Sequence, residues 1–129
     1  MNILWEDILA QPENCKKVIS HLLGAERPRL ERAAQAIDHH KPVAFIGVGS
    51  AAYLCMPSEV YLGQNGIPAS VYYAPDALYN LLPSLAKCNV ILNTRSGETV
   101  EIVKLAQPLH AQKIPFITIT NEPESSTAA

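Results

Sequence analysis

Thr94-Arg95-Ser96-Gly97-Glu98-Thr99 places three hydroxyls, a guanidinium and a glycine in six consecutive positions. They follow directly on Asn89-Val90-Ile91-Leu92-Asn93, whose apolar centre is too short for a helix and rich in β-branched residues, so it reads as a buried strand. A strand that hands over to a helix at such a stretch presents unpaired backbone N–H groups and about half a positive charge to whatever lies in front of it. An anion is the natural guest. Hydroxyls bond its remaining oxygens, and Gly97 lets the backbone come close. A small phosphate ester suits that chemistry. A second turn of the same kind, Gly47-Val48-Gly49-Ser50-Ala51-Ala52, follows the apolar run Val43-Ala44-Phe45-Ile46.

Each of these residues also has a plainer reading. Gly47 and Gly49 serve a tight turn and close helix–strand packing equally well. Ser50 is a suitable N-cap. Glu98 complements a helix dipole more readily than it acts as a general base, and Arg95 either reaches an anion or stays solvated. His39-His40, just before the first strand, suits a helix end, while Trp5, Tyr72 and Tyr73 read as packing. Gly47-x-Gly49-x-x-Ala52 also satisfies the dinucleotide-binding fingerprint, with Asp76 near the end of the second strand as a candidate ribose-binding acid. The second hydroxyl-rich turn is not something a dinucleotide site requires; one compact phosphate held from both sides accounts for it better.

The elements that must position these turns follow from periodicity. Residues 3 to about 23 carry Ile8, Leu9, Val18, Ile19, Leu22 and Leu23 at helical spacing, with Gly24 as a stop and Pro12 expected to open a second helix. Pro28 to about Asp38 predicts a further helix, with Leu30, Ala33, Ala34 and Ile37 on one face. From there strands at 43–46, 70–73, 90–92 and 115–120 alternate with helices. The first of these runs to about Asn65 with a kink or fresh start at Pro57, the next begins at Pro75, and the third spans Glu98 to about Gln112, bent by Pro108. Residues 121–127 look like the start of another helix whose body, with any fifth strand, is missing. The pattern makes βαβ units, hence a parallel sheet with helices on both faces. Residues 1–40 read as a helical extension and 41–129 as the α/β domain, cut short at its C-terminal end.

Ligands of open parallel sheets bind beyond the carboxyl ends of the strands, where strand order reverses. If the order is 2-1-3-4, the reversal lies between the first and third strands, which are the two that carry the polar turns. One crevice is then expected, with Gly47, Gly49 and Ser50 on one wall and Thr94, Ser96 and Thr99 on the other.

Bulk properties set bounds on partners. The 129 residues suit one core, and a formal charge of −2 with no basic stripe argues against nucleic acid or an anionic membrane surface. No signal peptide and no bilayer-spanning apolar segment are visible, which with Cys15, Cys55 and Cys88 as reduced thiols suggests a cytoplasmic protein. The cysteine spacing predicts no metal site.

At these turns the sequence resembles the SIS (sugar isomerase) phosphosugar-binding family. Gly47-Val48-Gly49-Ser50 is similar to the family's G-x-G-[ST]-S turn, Thr94-Arg95-Ser96-Gly97-Glu98-Thr99 to its S-x-S-G-x-T turn, and Thr120-Asn121 with nearby Ser125 and Ser126 to its T-N-x-x-x-S segment. Glu6-Asp7-Ile8-Leu9-Ala10-Gln11-Pro12 is similar to the E-I-x-x-Q-P found ahead of the isomerase domain of glucosamine-6-phosphate synthase and in tagatose-6-phosphate ketose/aldose isomerase-like proteins. The resemblance implies a flavodoxin-like α/β/α domain that holds a hexose 6-phosphate or amino-hexose 6-phosphate. Ser50, Thr94, Ser96 and Thr99 are then the phosphate hydroxyls, helped by backbone N–H groups near Gly49 and Gly97, with Gly47, Ala51 and Arg95 adjoining. Ala51 stands where many relatives carry a second serine, and a hydrogen bond lost to a charged group costs about 1.5–3 kcal/mol. The implied chemistry is aldose/ketose interconversion at C1 and C2, or release or exchange of a C2 amine. No cofactor is implied, and a homodimer is expected. The acid/base residues of such enzymes come from later regions, and nothing in this chain matches them. A non-catalytic phosphosugar sensor is the main rival, and a dinucleotide-binding oxidoreductase domain the lesser one.

Overall fold

The structure, a computed structural model, describes residues 3–128. Two compact units divide the chain, Met1–Ile37 and Asp38–Ala129.

The first unit holds α1 (Ile3–Leu23) and α2 (Arg27–Gln35). Pro12 lies inside α1 rather than opening a second helix. A proline there removes one N–H donor, and the helical stretches on either side carry the helix across the gap. Among its described residues α1 has none that is buried: Trp5 is 54% exposed, and Leu4, Leu9, Val18 and Ile19 are exposed as well.

The second unit is built on four parallel strands: β1 (Val43–Gly47), β2 (Ala69–Tyr73), β3 (Asn89–Asn93) and β4 (Phe116–Ile119). Their order is β2-β1-β3-β4, the order that puts the reversal between β1 and β3. β1 is paired on both sides, with Ile46 opposite Tyr72 and Leu92, and all five of its residues are buried. A strand covered on both faces must be apolar throughout rather than alternating, as Val43-Ala44-Phe45-Ile46 is.

Side chains alternate across the sheet and feed two cores. Ala44, Ile46, Val90 and Leu92 pack with Ile102, Leu105 and Leu109 of α7 (Val100–Ala111) and with Ala77 and Leu85. Val43 and Phe45 pack on the opposite face with Cys55, Leu62, Val71 and Ile91. That smaller core is covered by α3 (Ser50–Tyr53) and α4 (Met56–Gln64), which restarts after a break at 54–55, where Pro57 falls in its first turn. The β2–β3 connection runs through α5 (Ala74–Asp76), a π-helical stretch (Ala77–Leu81) and α6 (Leu82–Leu85). Pro83, which has no N–H to give, lies two residues past the end of that widened stretch. At the end of the sheet away from the loops, Asn89 Nδ2 donates to the carbonyls of Asp38 (2.8 Å) and Lys41 (3.1 Å), and its Oδ1 accepts the Asp38 N–H (2.9 Å). Residues 121–128 form turns rather than the start of a helix, because their polar groups are taken up by the neighbouring loop.

Candidate functional site

Two loops leave the carboxyl ends of β1 and β3. A Cβ on Gly47 would lie 2.6 Å from the Ala52 nitrogen, so only glycine lets the first turn of α3 sit directly against the end of β1. Gly49, at φ +55°, is the N-cap of α3, and the space a Cβ would enter is open. Ser50 opens α3 and is exposed.

Asn93 ends β3, and its Nδ2 donates to the Ala51 carbonyl at 2.7 Å. This bond joins the last residue of β3 to the first turn of α3 and sets the two loops side by side. Asn93 was not among the residues singled out from sequence; only its place at the end of a strand marks it. Cys55, buried beneath, directs Sγ to the same carbonyl at 3.4 Å, and burial pushes its thiol up in pKa.

In the second loop the hydroxyls are oriented by the backbone. Thr94 is 2% exposed; its Oγ1 accepts the Gly97 N–H at 3.3 Å and lies 3.2 Å from Thr99 Oγ1. Ser96 Oγ accepts the Glu98 N–H at 3.1 Å. Each hydroxyl has one proton to give. Ser96 still has its proton to donate, and the Thr94–Thr99 pair, sharing one bond, has one more. Ser50 offers another from the first loop. Thr99 is the N-cap of α7, yet its side chain makes no capping bond, so the N–H groups of that 12-residue helix's first turn face forward without a side-chain acceptor. Donors dominate here. Such a surface suits an oxyanion.

Glu98 departs from both expectations. It precedes the α7 N-cap, and its carboxylate accepts the Ser126 N–H (2.6 Å) and the Ser126 hydroxyl (2.7 Å). Those two bonds, the backbone one foremost, hold its carboxyl below the usual glutamate range. Arg95 is exposed and enters no ion pair among the described residues, while its carbonyl accepts from the Asn121 N–H and from Thr120 Oγ1, both at 3.1 Å. Thr127 Oγ1 donates to the Gly97 carbonyl at 2.9 Å. Ser125, 4% exposed, fills the space where Gly97 lacks a side chain, and its Oγ has no hydrogen-bond partner among the described residues. The sequence marks this segment by its hydroxyls and by its resemblance to the T-N-x-x-x-S pattern, but not which groups of the 94–99 loop it meets. Among the described residues no group of three or more His, Cys, Asp or Glu is placed to hold a metal ion.

The architecture defines a class: parallel α/β domains whose ligand loops meet at the switch point of the sheet. Residues 36–129 match the SIS domain family, and the chain belongs to it. The E. coli CFT073 protein c3406, solved in complex with a sugar phosphate, is 26% identical with a TM-score of 0.75; the match covers 99% of this chain and 70% of that one. Two further structures share the fold. The C-terminal domain of glucosamine-fructose-6-phosphate aminotransferase from Francisella tularensis is 19% identical with a TM-score of 0.61, covering 77% of this chain and 28% of that one. Tagatose-6-phosphate ketose/aldose isomerase from Escherichia coli is 21% identical with a TM-score of 0.61, covering 87% and 32%. Among curated protein sequences there is no significant match.

Proposed function

We propose that this chain binds a sugar phosphate between its two loops and is the phosphosugar-binding part of an isomerase or aminosugar-phosphate deaminase/deglycase. The observation that carries the reading is the 2.7 Å bond from Asn93 to the Ala51 carbonyl, which sets Ser50 and the uncapped start of α7 on neighbouring loops. The phosphate oxygens accept from Ser50, Ser96, the Thr94–Thr99 pair and backbone N–H groups at Gly49 and at the uncapped start of α7, while the Gly97 N–H is already given to Thr94 and shapes the loop. Helix-end dipoles offset the charge without any lysine, and the sugar extends outward. A hexose 6-phosphate, an amino-hexose 6-phosphate and the sugar phosphate held by the E. coli CFT073 relative all present the same phosphate ester. Moving a proton between C1 and C2 needs an acid/base group within hydrogen-bond reach. Glu98 is held by Ser126 and is not available for that step. The isolated chain therefore binds with little or no turnover. We assign it to the cytoplasm and to a homodimer; among the described residues no helix is long and apolar enough to cross a membrane.

Thermal unfolding with arabinose 5-phosphate, glucose 6-phosphate, glucosamine 6-phosphate and NAD(H) tests this. A ligand at 100 times its Kd adds about 2.7 kcal/mol to native stability. A rise in Tm with a sugar phosphate, none with NAD(H), and its loss in Ser96→Ala/Thr99→Ala are the expected results. No shift with any sugar phosphate, or a shift that survives the double substitution, overturns the reading.

A further inference from the structure

We propose that residues 120–127 are a strap that keeps the 94–99 loop in its ligand-ready shape, with Thr127 as the positioning residue at its centre. The inference rests on reading that loop as the phosphate cradle. Every bond the strap makes to the loop falls on an acceptor: the Arg95 carbonyl takes the Asn121 N–H and Thr120 Oγ1, the Gly97 carbonyl takes Thr127 Oγ1, and the Glu98 carboxylate takes Ser126. The hydroxyls of Ser96 and Thr99 are left alone. The strap thus draws the loop's negative ends to its rear and leaves its donors in front.

Gly97 is where this matters most. At φ +68° it occupies a region that glycine enters and leaves freely, so the peptide joining it to Glu98 has little intrinsic resistance to turning over. In a trans peptide C=O and N–H point in opposite directions. Turning that unit over would swing the Gly97 carbonyl toward the anion and withdraw the Glu98 N–H from Ser96. Thr127 blocks this by holding the carbonyl at 2.9 Å, and Thr127 is itself pinned through its own carbonyl, which accepts Thr118 Oγ1 of β4 at 2.7 Å. Ser125 fixes the strap's height: its side chain is seated against the bare Cα of Gly97, in the space a Cβ there would need.

The test uses the full chain carrying Thr127→Val, which keeps the shape and loses the proton, beside Thr127→Ser, which keeps it. In the ligand-free protein, amide exchange at Gly97, Glu98 and Thr99 is expected to speed up about fivefold or more in Thr127→Val and to stay at the wild-type rate in Thr127→Ser. Affinity for arabinose 5-phosphate by calorimetry is expected to fall about tenfold in the valine variant alone. If the valine variant does not fold, Ser126→Ala, an exposed change, is expected to speed exchange at Glu98 by about threefold. Unchanged loop amides in whichever variant folds overturn the strap. A wild-type chain that binds no sugar phosphate instead defeats the phosphate reading, and the ligand-free exchange still decides whether the strap shapes the loop.

Discussion

Hydroxyls accept as readily as they donate, so their count alone does not tell an anion site from a cation site. In this loop the backbone weights the balance: Gly97 and Glu98 supply N–H groups to Thr94 and Ser96, which takes up one lone pair on each hydroxyl and leaves its proton to be donated. Glu98 shows the converse. With two donors on it, its folded pKa lies below its unfolded one, so its contribution to stability is present above the ordinary glutamate pKa and is lost as pH falls through the depressed value. A carboxyl-carbon NMR titration is expected to give Glu98 a midpoint below the usual glutamate range, and Ser126→Ala is expected to raise it part of the way, since the backbone donor remains. Ser96, Thr99 and Gly97 were legible in the sequence because a strand end, a hydroxyl turn and a helix start lie within ten residues. The contacts of the strap were not. Ser126 and Thr127 meet their partners 28 and 30 positions away, and no local periodicity records a contact at that distance.

Among the elements, strands and helices appeared where apolar spacing placed them, and the errors sit at Pro12 and at the tail. Pro12 was expected to divide α1 but lies inside a continuous helix. Pro108 lies inside α7, with Leu105, Ala106 and Leu109 buried around it. The π-helical stretch before Pro83 had no signature in the apolar pattern, since widening a helix by one residue changes no residue type. Leu105, fully buried between α7 and the sheet, is expected to cost about 2–5 kcal/mol as Leu105→Ala in urea unfolding. Gly47→Ala is expected to cost about 1–3 kcal/mol, because its methyl meets backbone rather than a movable side chain. Ala52 cannot yield without α3 leaving the end of β1, so the same substitution is expected to weaken sugar-phosphate binding as well.

At the scale of the molecule, charge is ordinary and apolar exposure is not. Ile119 at the end of β4 is 54% exposed, and α1 carries several exposed large hydrophobic residues. Both favour association, and light scattering at high concentration is expected to report a species larger than one chain. The strand order carries a further consequence. β1 and β3 have neighbours on both sides, whereas β2 and β4 are each paired on one side only among the described residues. Deuterium uptake should therefore run in a gradient, slowest at Ala44 to Ile46 and faster at both margins, Ala69 to Tyr73 and Phe116 to Ile119. If two copies join strand to strand at β4, dilution will quicken uptake there and nowhere else in the sheet.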